Sequence, residues 1–148
     1  MDEKIINFFR KISLPFARFS IFVIFFWFGL LKVVGLSPAG DLVSKLFERT
    51  IPFMSFHDFF ILFGLFEVLI GILFLIRGME RIVIFLLFIH MILTIGPLVL
   101  LPDATWSRFL VPTLEGQYII KNLAIMASAI FIASNLRPVN SLKEMVRV

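Results

Sequence analysis

The chain has no cysteine, a single tyrosine and only 16% charged residues over 148 positions. Without thiols there is no disulfide framework, no thiolate-held metal, no iron–sulfur cluster and no dithiol relay. Soluble domains carry about 25% charged residues. The low charge, with 60% hydrophobic residues and a mean hydropathy of +1.04, therefore excludes an ordinary water-soluble domain. It excludes a disordered chain as well, since disorder needs apolar poverty. There is no internal repeat and no low-complexity segment. Twenty phenylalanines supply more apolar surface than a chain this short buries against itself, so lipid must solvate part of it.

A membrane-spanning helix needs about 20 predominantly apolar residues. Four windows qualify: Phe19–Leu36, Phe59–Ile76, Ile82–Leu101 and Tyr118–Ser134. The expected fold is all-α, an integral-membrane bundle of four antiparallel helices in one transmembrane domain over residues 1–148. A cleaved signal peptide is not expected, because residues 1–18 are mixed rather than apolar. The stretch from Asp2 to Arg18 interleaves Lys4, Arg10, Lys11 and Arg18 with Ile5, Ile6, Phe8, Phe9 and Ile12. It reads as a short amphipathic helix on the membrane surface, ended by Pro15.

The net charge of +4 is read better as a membrane orientation signal than as a nucleic-acid footprint, so no nucleic-acid partner is expected. Lys4, Arg10, Lys11, Arg18, Arg77, Arg81, Arg137, Lys143 and Arg147 fall at the two termini and in the short turn between the second and third windows. The other two connections hold only Lys45, Arg49 and Arg108. The positive-inside rule then puts both termini in the cytoplasm, with the lipid bilayer as first partner. Residues 37–58 open on Ser37-Pro38-Ala39-Gly40-Asp41, a helix start, and predict a short amphipathic helix on the outer surface stopped near Pro52. Residues 102–117, with Pro102, Asp103, Trp106, Pro112, Glu115 and Gly116, predict an irregular cap.

Ionisable groups within membrane spans cost at least about 2.5–3.5 kcal/mol each and face the bundle interior. The spans hold four: Lys32, Glu67, His90 and Lys121. Glu67 lies nine residues before Ile76 and His90 nine after Arg81. At about 1.5 Å per residue both fall near the midplane of neighbouring helices, so a Glu67–His90 hydrogen bond is predicted. Gly64 and Gly71 share the Glu67 face and mark a close helix contact. Lys32 and Lys121 sit in the outer third, and Gln117 and Asn122 lie beside Lys121. These groups suggest one polar pocket opening outward, with Trp106, Tyr118, Asp103 and Glu115 at its mouth. Interhelical glue is the structural alternative for Glu67–His90, and snorkelling to headgroups is the alternative for the lysines. The Phe-rich runs are expected to face lipid. His57 and His90 are half a membrane apart and do not share one haem, and no third donor completes a metal site with Glu67 and His90.

Three stretches carry a family resemblance: Phe26-Trp27-Phe28-Gly29-Leu30-Leu31-Lys32, Gly64-Leu65-Phe66-Glu67-Val68-Leu69-Ile70-Gly71, and Leu114-Glu115-Gly116-Gln117-Tyr118-Ile119-Ile120-Lys121-Asn122. In this order they resemble the DoxX/DoxD-like family of small four-span bacterial membrane proteins. The last stretch, with Leu100-Leu101-Pro102-Asp103-Ala104-Thr105-Trp106 before it, is similar to a subgroup of short DoxX-like proteins. The resemblance implies Lys32, Glu67, Gly71, Glu115, Gly116 and Lys121 as family positions; His90 has no assigned place in that pattern. It also implies a bacterial inner-membrane location and a connection to quinone or oxidant chemistry through a redox partner protein, since the namesakes pass electrons to quinone. Fold transfers along such a likeness more safely than chemistry.

On this reading Glu67 and His90 would handle the proton, the imidazole being the side-chain type that titrates nearest neutrality. Lys32 and Lys121 would donate to a ligand oxygen, with Glu115, Gln117, Asn122 and Trp106 as further ligand contacts. Quinone is the expected non-covalent cofactor, and no metal is expected. A transport or proton-pathway element, working as a homo-oligomer, and a structural subunit of a larger complex are the competing classes.

Overall fold

The computed structural model describes residues 2–51 and 53–136. The chain is mostly helical, and four of its helices are long and apolar enough to cross a membrane: α1 (Asp2–Val33), α3 (Phe56–Leu75), α4 (Glu80–Leu100) and α6 (Leu114–Ser134). The amphipathic α2 (Gly40–Thr50) follows α1, close to the span predicted for it; Pro52, its expected stop, lies outside the described residues, as do Arg137, Lys143 and Arg147. Between α4 and α6 the expected irregular cap is partly ordered. It comprises a single turn, α5 (Pro102–Thr105), and a minimal antiparallel hairpin, β1 (Trp106–Arg108) with β2 (Val111–Pro112), whose tip puts Leu110 at φ 58°.

The N-terminal expectation is corrected. No separate surface helix ends at Pro15; α1 runs unbroken for 32 residues with Pro15 inside it. A proline removes one backbone donor, and a long apolar helix absorbs that loss where its other hydrogen bonds remain intact. At about 1.5 Å per residue α1 is roughly 48 Å long, well beyond the ~30 Å hydrocarbon core.

Helix ends follow local chemistry. Ser55 accepts from the backbone N–H of Asp58 to start α3, and Thr113 accepts from that of Gly116 to start α6. Gly78, at φ 91°, lets the chain reverse between α3 and α4.

The core combines Ile21 and Phe25 of α1, Ile70 and Phe74 of α3, Val83, Leu87 and Met91 of α4, and Ala129 and Ile132 of α6. The most extensive contact is between α1 and α3. A β-carbon placed on Gly29 would come within 2.6 Å of the Gly64 carbonyl oxygen and 2.8 Å of Glu67 Cβ; one on Gly64 would meet Gly29 O and Lys32 Cβ, each at 2.8 Å. The two backbones touch because neither residue has a side chain. Gly71 lies equally close to Phe26, so the helices run antiparallel and stay in contact over two turns.

Arg18 closes the other end of that pair. Its guanidinium donates to the carbonyls of Phe74 (2.8 Å) and Ile76 (3.0 Å) and to Glu80 Oε1 (2.6 Å). It thereby supplies donors that the last turn of α3 lacks and ties α1 to the α3–α4 turn.

Candidate functional site

The close approach at Gly29 and Gly64 sets Lys32 beside Glu67. Lys32 Nζ donates to Glu67 Oε2 at 2.6 Å, and His90 Nε2 stands 2.9 Å from Glu67 Oε1. The predicted Glu67–His90 contact is therefore present, and Lys32 joins it as a third member. All three are buried, with relative exposures of 6%, 5% and 4% for Lys32, Glu67 and His90. One carboxylate thus bridges α1 and α4 from its place in the middle of α3.

The two lysines, alike in sequence, part company in space. In an α-helix the Cα–Cβ bonds tilt toward the N-terminus, so side chains lean back along the chain. Lys32, at the C-terminal end of α1, therefore leans into the body of the protein and reaches Glu67. Lys121, near the N-terminal end of α6, leans toward that end, with its ammonium 5.1 Å over the Tyr118 ring, and is exposed. Glu115 and Gln117 are also exposed on the first turn of α6, and Asn122 is half-buried. Trp106 donates its indole N–H to the Leu98 carbonyl at 3.0 Å, pinning the cap to α4. None of these residues lies in the Lys32–Glu67–His90 cluster. Asp103 borders a polar cleft of about 410 Å³ that it shares with Lys45, Glu48 and Arg49 of α2. A second, largely apolar groove of about 560 Å³ runs between the first half of α1 and Ser128 and Phe131 of α6. Neither cavity is lined by a member of the triad.

Aromatic rings surround the triad, a role the reading of phenylalanine as lipid-facing filler missed. His90 stacks on Phe63 with centroids 5.1 Å apart and planes 8° from parallel; Phe25 meets it edge-on at 5.0 Å, and Phe66 lies at 6.1 Å. Phe63 also lies 5.7 Å from Lys32 Nζ and stacks on Phe59, which in turn contacts Phe47 of α2. A chain of rings thus leads from α2 to His90. The signal available in the sequence was periodicity: Phe59, Phe63 and Phe66 are spaced four and three apart ahead of Glu67, on one face of α3.

The electrostatics follow from the contacts. An ionised carboxylate only accepts hydrogen bonds, so opposite an ionised Glu67 the facing ring nitrogen is the one that carries a proton. The other, Nδ1, is buried and has no partner among the described residues. With Lys32 positive, Glu67 negative and the imidazole neutral, the triad sums to zero charge. No group of three or more metal-binding side chains occurs among the described residues.

No family model, curated protein or solved structure matches the chain. What its helices define is the outline of a multi-pass membrane protein.

Proposed function

We propose that the protein is a DoxX-like protein of the bacterial cytoplasmic membrane that holds a quinone-type ring ligand beside the Lys32–Glu67–His90 triad and supports redox chemistry carried out by a partner. The excess of Lys and Arg at the termini and in the α3–α4 turn supports an antiparallel four-helix bundle with both termini in the cytoplasm. One observation carries the functional reading: a buried Lys32–Glu67–His90 cluster whose Nδ1 has no partner among the described residues. Lys32 has three N–H donors, of which Glu67 takes one, and the ammonium is suited to a ligand oxygen. His90, backed by Glu67, is suited to take or return a proton. With no thiol in the chain, the electrons must travel through ligand and partner.

A second reading has an observation of its own. Lys32 and Glu67 are paired with each other and touch neither cavity, as expected of interhelical glue in a structural subunit.

Solvent extraction of the protein purified in mild detergent, followed by absorbance and mass spectrometry, separates the two. The ligand reading expects a near-stoichiometric ring compound in wild type that is lost in folded His90→Phe protein, which keeps the Lys32–Glu67 pair. Bulk phospholipid alone in the wild-type extract would leave the structural reading standing.

A further inference from the structure

A second group of charges lies apart from the triad, at the end of the bundle opposite the α3–α4 turn. Lys45, Glu48 and Arg49 share one face of α2, at offsets of three and four residues. They line the cleft of about 410 Å³ together with Asp103 of α5, Leu101 and Ala104. Two positive and two negative side chains thus bound one cleft, and their charges sum to zero. Yet none of the ion pairs among the described residues closes across it. Arg49 donates to the Leu100 carbonyl, Glu48 accepts from the Ser44 hydroxyl, and Glu115 of α6 attracts Lys45 from outside the lining.

Each sign places a demand on a ligand. Lys45 and Arg49, like charges four residues apart, repel one another until an anion lies between them. A simple anion would also meet the carboxylates of Glu48 and Asp103, and a simple cation would meet the two bases. A molecule carrying both signs a few bonds apart satisfies the whole cleft.

The location points to the source of that molecule. Leu101, which lines the cleft, is the residue at which the membrane-long α4 ends. Ile92 and Val99, 71% and 76% exposed, form an apolar stripe on α4 that leads up to this point. α2 lies over the ends of α3 and α4, with Phe47 on Phe59 and Leu46 beside Gly96. The charges therefore stand where a helix leaves apolar surroundings, at the depth of lipid headgroups rather than acyl chains.

We propose that this cleft holds the headgroup of a zwitterionic phospholipid of the phosphatidylethanolamine class. Its phosphate lies between Lys45 and Arg49, and its primary ammonium donates to Asp103 and Glu48. Its acyl chains run along α4 past Val99 and Ile92. The site is independent of any ligand at the triad, since the cleft and the triad share no residue.

The test is lipid binding to the full-length protein in detergent micelles, read by native mass spectrometry. The probes are phosphatidylethanolamine, phosphatidylglycerol and phosphatidylcholine with identical acyl chains, and soluble phosphoethanolamine. Phosphatidylglycerol lacks the cation, and phosphatidylcholine keeps it without an N–H donor. One ammonium–carboxylate contact at an exposed site corresponds to a preference of about fivefold. Phosphatidylethanolamine should bind at least about that much more tightly than the other two lipids, and phosphoethanolamine more weakly than the intact lipid. Asp103→Asn combined with Glu48→Gln should abolish the preference over phosphatidylglycerol. Lys45→Gln should weaken both of these lipids alike. The comparison among probes needs only the wild type, so it stands even if a variant fails to fold. Equal affinities for the three lipids, or tighter binding of phosphatidylglycerol, would overturn the zwitterion assignment. Phosphoethanolamine binding as tightly as the lipid would overturn the lipid as the source. A preference that survives in the folded double variant, or affinities unchanged by Lys45→Gln, would overturn the cleft as the site.

Discussion

Lys32 and Glu67, 35 positions apart in the chain, form a 2.6 Å ion pair in which both side chains are buried. Breaking a buried pair by removing one partner is far more costly than replacing both, because the remaining charge is stranded. Lys32→Met is expected to lower stability by about 3–5 kcal/mol. Lys32→Met combined with Glu67→Gln, which keeps an acceptor for His90, should be less harmful than Lys32→Met alone. Thermal unfolding of the two single variants and the double variant in detergent measures this; additive losses would show that the pair is not coupled.

The α1–α3 contact predicts a contrast between glycines. Gly29→Ala forces a methyl group against the Gly64 carbonyl and Glu67, and should cost at least about 1–3 kcal/mol and disturb the triad with it. Gly96→Ala, whose new β-carbon would find its nearest neighbour at 3.9 Å, should be neutral or slightly stabilising. Equal melting temperatures for the two variants would contradict the packing described here.

Arg18 predicts a third effect. Arg18→Ala removes the side-chain donor from the Phe74 and Ile76 carbonyls and leaves Glu80 only the Gly78 N–H, and a loss of about 1–3 kcal/mol is expected. Arg18→Lys should recover only part of it, because a lysine ammonium does not reproduce the guanidinium fork. Glu80→Ala, which leaves both carbonyl bonds in place, should be the mildest of the three. The order of the three melting temperatures is the test.

The proposed orientation can be read directly, since the chain offers no background thiol. In cells, Met79→Cys in the α3–α4 turn should be shielded from a membrane-impermeant thiol reagent and react only after permeabilisation. Phe109→Cys, at the 91%-exposed hairpin tip, should react from outside. The reverse pattern would invert the topology.

Much of the architecture was legible in the residues. Apolar run lengths marked the four long helices, because a helix must carry about 20 such residues to span a hydrocarbon core. Equal offsets of Glu67 and His90 from one tight turn put them level on adjacent helices, and they meet. Other features were hidden because they depend on direction or on a remote partner. Pro15 looks like a helix end when only the local chain is considered, yet α1 continues past it. Arg18 looked like an orientation charge, while its role depends on carbonyls 56 and 58 positions away.

The sequence by itself determined how many long apolar helices there are and that Glu67 and His90 stand level on two neighbours, because these are sums over neighbouring residues. Only the tertiary structure decided which charges meet. Lys32 leans into the protein because it ends its helix, and Lys121 leans away because it begins one. Gly29 and Gly64 bring α1 and α3 close enough for an ammonium to reach a carboxylate that the linear chain keeps 35 residues away.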